Sequence, residues 1–156
     1  MLESLDPCLR AALFLCCAIP ITAVDLKSAR IPDAYSLGGI VCLSLYDALL
    51  SSSLLLGDSL AAALAFALFL GIRIFTKGLG FGDLKYAALI AFYTGFPYCF
   101  AAMASAAIAA MLFFVAAIAF GGKRRTMMIP FAPFLTIGAM VAAAIKIAHG
   151  ERSGGL

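Results

Sequence analysis

Long apolar runs constrain this chain more than any other feature. Between Leu60 and Phe75 the only charge is Arg73, and between Pro97 and Phe120 there is none. Backbone groups crossing a bilayer find no water, so they must pair internally, either within a helix or around a closed barrel. Barrel strands alternate apolar and polar residues over about ten positions, and these runs do not alternate. The whole chain is 65% hydrophobic and 12% charged, with a mean hydropathy of +1.10. Soluble domains are about half apolar and about a quarter charged. The expected fold is all-α: a polytopic membrane helical bundle forming one membrane-embedded domain over residues 1–156.

A membrane helix needs about 20 residues, and six segments are candidates. The first runs from Cys8 to about Val24, with Pro20 expected to bend its last turn. A polar stretch from Asp25 to Asp33 follows, and Ile31-Pro32 marks a helix boundary. The second span runs from about Ala34 to Leu50. Ser51-Ser52-Ser53 and Gly57-Asp58 are expected to form a turn region before the third, Leu60 to Phe75. The fourth, Asp83 to about Tyr93, is short. The fifth runs from about Pro97 to Phe120, and its small residues favour close helix packing. The sixth runs from near Pro130 to near Ala148. Glu3 and Asp6 precede the first run, and no small-x-small cleavage site follows it, so it is expected to be a retained span rather than a cleaved signal.

Six spans place the loops after the first, third and fifth on one side. Those loops and their flanks carry Lys27, Arg30, Arg73, Lys77, Lys85, Lys123, Arg124 and Arg125, against Arg10, Lys146 and Arg152 on the other. The excess of Lys and Arg on cytoplasmic loops then sets both termini outside and Asp25 and Asp83 at the cytoplasmic face. The net charge of +3 is dispersed over loops, so nucleic acid is not an expected partner; membrane lipid is. The five cysteines form no C-x-x-C pair, and the single histidine, His149, stands near the C-terminus. Neither a metal site nor a cofactor is expected.

The chemistry-bearing feature is Gly80-Phe81-Gly82-Asp83-Leu84-Lys85, where alternating glycines lead to a carboxylate at a membrane edge. Ionisable residues in such positions are costly and tend to be functional. Gly80 and Gly82 permit positive φ and leave the backbone open to a substrate. Asp25 provides a second carboxylate at the same face. Two adjacent carboxylates resist ionising together, so they share a proton and can activate water while protonating a carbonyl or a leaving amine. Taken singly, the residues leave other roles open. Asp83 also suits a helix N-terminus, and Asp25 a solvated position beside Lys27. Lys77 and Lys85 suit interface anchors. Asp47 suits a bundle pair or the far interface, and Asp58 a turn. Pro130 and Pro133, flanking Phe131, suit a helix start that packs near the site.

Three segments together resemble the type IV prepilin peptidase family, intramembrane aspartic proteases of the G-x-G-D type. They are Asp25-Leu26-Lys27-Ser28-Ala29-Arg30-Ile31-Pro32-Asp33, Gly80-Phe81-Gly82-Asp83-Leu84-Lys85, and Ile129-Pro130-Phe131-Ala132-Pro133-Phe134. The resemblance implies that Asp25 and Asp83 are the catalytic pair. It implies that Gly80, Gly82, Lys85, Pro130 and Pro133 shape the site or bind substrate. The implied partners are prepilin or pseudopilin precursors, cut at a short basic leader on the cytoplasmic side of a bacterial inner membrane. Asp33 stands where the family usually has Asn, and Ala132 where Gly is common. The chain is similar to the short members, which lack a cysteine-bearing cytoplasmic insert, so neither zinc nor methyl transfer is expected. Two other classes are a small proton-coupled transporter relaying through Asp25, Asp47 and Asp83, and a catalytically idle assembly subunit.

Overall fold

The computed structural model describes residues 6–28, 30–50, 52–76, 80–121 and 130–150. Lys77, Lys123, Arg124, Arg125, Ile129 and Arg152, all used above, lie outside the described residues, as do Glu3, Ala29 and Ser51. Among the described residues the chain forms α1 (Asp6–Ser28), α2 (Asp33–Leu50), α3 (Ser52–Thr76), α4 (Phe81–Thr94), α5 (Tyr98–Gly121) and α6 (Ala132–Ala148).

Each expected apolar segment coincides with one helix, and two boundaries move. α1 continues through Pro20 to Ser28, so Asp25 is helical rather than the start of a polar connection. Its end is supported locally: the Ser28 hydroxyl donates to the Val24 carbonyl at 2.9 Å, and Lys27 lies in the negative last turn. α3 starts at Ser52, so Gly57 and Asp58 are helical and the expected turn there does not form. The cause is tertiary: Asp58 is buried against Arg10 of α1.

α4 is the hub, packing against each of the other five helices. From Tyr86 to Phe92 every residue is buried. At 14 residues it is about 21 Å long, less than a roughly 30 Å hydrocarbon core. The other helices shield it. Their outward faces are strongly apolar, with Phe75 89%, Leu49 82% and Ile147 76% exposed. Water would not tolerate so much apolar surface on a monomer, whereas lipid does. Cys8–Ser28, Leu55–Phe75 and Tyr98–Ala119 are long and apolar enough to cross a membrane, and Ala132–Ala148 is a shorter apolar helix. The chain is a membrane protein, and its described residues form an all-helical fold.

Lipid tails are as apolar as leucine, so close packing and polar contacts, rather than water exclusion, hold such helices together. The α5–α6 contact shows this. A Cβ on Gly138 would lie 2.2 Å from the Ala102 carbonyl oxygen and 2.9 Å from the Ala106 Cβ. Gly138→Ala is therefore expected to force these backbones apart and destabilise the protein by about 1–3 kcal/mol. Thermal unfolding in detergent measures this, and an unchanged midpoint would refute the contact.

Candidate active site

Three helix ends meet at one end of the bundle: the last turns of α1, the first turn of α4 and the first turn of α6. Asp25 is only 5% exposed. Its Oδ2 accepts the Ala132 backbone N–H at 2.9 Å. That N–H is free because first-turn amides have no partner within their own helix, and the N-cap, Phe131, offers no side-chain acceptor. Pro133 follows in the first turn, where a missing N–H costs nothing. The Pro-Phe-Ala-Pro segment thus reaches Asp25 through the backbone of Ala132.

Asp83 is partly buried in the first turn of α4. It is the third helical residue rather than the cap. Gly80 is the N-cap, extended at φ −71° and ψ 151°, and its N–H donates to Asp83 Oδ2 at 3.1 Å. Asp25 and Asp83 thus lie at the same end of the bundle, where Thr22 of α1 and Tyr86 of α4 reach one hydroxyl of α6.

Gly80 and Gly82 do not adopt positive φ, so the conformational freedom expected of them is not used. What matters is the missing side chain. A Cβ on Gly80 would lie 3.1 Å from Asp83 Oδ2. One on Gly82 would lie 2.7 Å from the Ile31 Cβ and 3.3 Å from its carbonyl oxygen. The Ile-Pro segment and the glycine motif therefore touch at Gly82, fixing α4 against the approach to α2. Gly82→Ala is expected to push the start of α4, and Asp83 with it, off this seat. A misplacement of about 1 Å can cost about 100-fold in rate. Steady-state kinetics of any turnover by this site would measure the loss, and full activity in the alanine variant would count against it.

Lys85 Nζ pairs with Asp33 Oδ2 at 2.6 Å. The Asp33 side chain is 59% exposed, so the pair contributes at most about 1 kcal/mol. The Arg73 guanidinium covers the Phe81 ring at 3.8 Å from its centroid. Both contacts hold the rim of the site. Pro130 precedes α6 and is half-buried.

A second layer went unread in the sequence. One turn inside the carboxylates, Thr136 of α6 bonds Thr22 of α1 at 2.8 Å and Tyr86 of α4 at 2.7 Å. Thr22 is three residues before Asp25, Tyr86 three after Asp83, and Thr136 four after Ala132. This matching i±3 and i+4 spacing is the signal that could have found them.

The remaining aspartates lie elsewhere. Arg10 precedes Asp25 on α1 by 15 residues, about 22 Å of helix. Its guanidinium donates to Asp47 Oδ2 at 3.2 Å, to Asp58 Oδ2 and to the Phe92 carbonyl at 3.1 Å. Lys146 donates to the Thr94 carbonyl at 3.2 Å. Two cations thus cap the C-terminal carbonyls of the short hub helix, and two carboxylates balance them. Arg10, read above only as a topology marker, is the centre of this cluster.

Among the described residues, no three His, Cys, Asp or Glu side chains gather where they could hold a metal ion. The described cysteines are free thiols. Two carboxylates at one end of a helical bundle, each held by a backbone N–H, have the makings of a general acid–base pair. The model of the type IV leader peptidase family matches residues 12–122, a stretch that contains both Asp25 and Asp83. No curated protein and no solved structure matches the chain.

Proposed function

The chain belongs to the type IV leader peptidase family, and from that membership we propose that it is an intramembrane aspartic endopeptidase with Asp25 and Asp83 as its catalytic dyad. The observation that supports this is the placement of the two carboxylates at one end of the bundle: Asp25, buried at the end of α1, is held by the Ala132 N–H, and Asp83, in the first turn of α4, by the Gly80 N–H. One carboxylate takes a proton from water, and the hydroxide formed adds to the scissile carbonyl carbon. The other gives its proton to the carbonyl oxygen, forming a neutral gem-diol. The protonated carboxylate then gives its proton to the nitrogen while the ionised one takes a proton from a gem-diol hydroxyl, so that the C=O re-forms, the C–N bond breaks, the amine leaves and the pair again holds one proton. The backbone N–H bonds from Ala132 and Gly80 orient each carboxylate through Oδ2.

The proposed substrates are prepilin or pseudopilin precursors with short basic leaders. The proposed setting is a bacterial inner membrane crossed six times by a single peptidase domain, with both termini outside. The clustering of basic residues on the loops that flank Asp25 and Asp83 supports cleavage at the cytoplasmic face. Asp47 supports no relay across the bilayer, because Arg10 ties it at the far end of α1.

The test is to incubate the purified protein with a pilin-type precursor and map the products by mass spectrometry. Release of the intact leader is expected. Everted vesicles should cut an added precursor and right-side-out vesicles should not. An uncut precursor would overturn the proposal, and cleavage from the outer side would overturn the topology.

A further inference from the structure

We propose that the Thr136 hydroxyl is the positioning group of this site, a knot that ties α1, α4 and α6 together one turn inside the aspartates and thereby sets where Asp25 and Asp83 stand. This deepens the peptidase proposal and rests on its dyad.

Hydrogen-bond bookkeeping gives the knot one consistent form. A threonine hydroxyl has one hydrogen and two lone pairs. Thr136 Oγ1 donates to the Ala132 carbonyl at 2.9 Å. It then has two acceptor positions, and two hydroxyls reach them: Thr22 at 2.8 Å and Tyr86 at 2.7 Å. The oxygen is saturated, and each neighbouring helix delivers one hydrogen to it. Tyr86 is fully buried, in surroundings where a hydroxyl without a partner is costly.

The residue Thr136 bonds through its carbonyl is the residue whose N–H holds Asp25. Ala132 is itself fully buried. Its two backbone polar groups therefore link the knot to the carboxylate: C=O to the Thr136 hydroxyl, N–H to Asp25 Oδ2. On α1, Thr22 lies one turn below Asp25; on α4, Tyr86 lies one turn below Asp83. A shift of any of the three helices along its axis would break a bond in the knot before it could separate the carboxylates. Thr22, Tyr86 and Thr136 touch no reacting atom in this scheme and act only through the aspartates.

The test compares Thr136→Val, which keeps the shape and removes the hydroxyl, with Thr136→Ser, which keeps the hydroxyl. Tyr86→Phe is a second route should the valine variant fold poorly. Two measurements are made on the full-length protein in detergent: cleavage kinetics on the precursor, and hydrogen exchange at the Ala132 amide. Thr136→Val is expected to lower kcat by about 10- to 100-fold with KM nearly unchanged, and to speed Ala132 exchange while leaving α5 protected. Thr136→Ser should restore both. The double variant Thr136→Val/Tyr86→Phe should be no worse than Thr136→Val alone, because the two side chains share one bond. Unchanged Ala132 exchange in Thr136→Val, a loss confined to KM, or full kcat in both Thr136→Val and Tyr86→Phe would overturn the knot. Faster Ala132 exchange in a protein whose wild type cuts no precursor would uphold the knot and sink the peptidase proposal instead.

Discussion

Asp25→Asn and Asp83→Asn are each expected to abolish leader cleavage, with kcat falling by at least about a thousandfold. Removing a general acid or base costs about 100- to 10,000-fold. Members of a pair that work as a unit do not share the loss between them. The double variant should therefore be no slower than either single one. Asparagine keeps the size of the side chain and its acceptor oxygen, so the Ala132 and Gly80 N–H bonds can persist and the variants should remain folded. Mass spectrometry of the precursor together with thermal unfolding separates the two effects. Retained cleavage by either folded variant would remove that aspartate from the mechanism. Cleavage lost only alongside folding would leave alanine and serine replacements to decide whether chemistry or packing was at stake.

Arg10→Met is expected to be the most destabilising single change in the bundle. It would strand Asp47, which is fully buried, beside the 6% exposed Asp58, and remove the donor to the Phe92 carbonyl. Breaking a buried ion pair by removing one partner costs about 3–5 kcal/mol, because the charge left behind has no compensation. A neutral triple variant, Arg10→Met with Asp47→Asn and Asp58→Asn, should recover much of the loss. Thermal unfolding in detergent is the measurement. A single variant as stable as the wild type would show that the cluster does not hold α4. The two predictions address opposite ends of one short helix: its N-terminal turn carries Asp83, and its C-terminal carbonyls are capped by Arg10 and Lys146.

Much of this was legible in the sequence because the signals are local. An apolar run long enough to cross a bilayer has few alternatives to a helix, so all six helices could be placed from composition along the chain. The Gly-Phe-Gly-Asp and Ile-Pro segments announced themselves because glycine, proline and aspartate are expensive in such surroundings. Arg10 and Asp58 gave no such notice, and the hydroxyls of Thr22, Tyr86 and Thr136 gave only their helical spacing from Asp25, Asp83 and Ala132. A threonine in an apolar helix commonly bonds the carbonyl four residues back, as Thr136 does to Ala132, so nothing in the sequence requires it to bond other helices as well. Asp58 beside Gly57 matches a turn on local grounds alone, and only the arrival of Arg10 from α1 makes a helical, buried aspartate affordable there.

By itself the sequence determined the helical class, the positions of the helices and the identity of the two carboxylates worth testing. The first two follow from interactions within one helical segment or between that segment and its solvent; the third came from three segments read together. The tertiary structure decided what those carboxylates meet. It set the Ala132 N–H against Asp25, seated Gly82 on Ile31, knotted three helices through Thr136 and closed the far end with Arg10. These contacts join residues far apart in the chain. Their energies exist only once the helices have packed, so no pattern within a single segment can encode them.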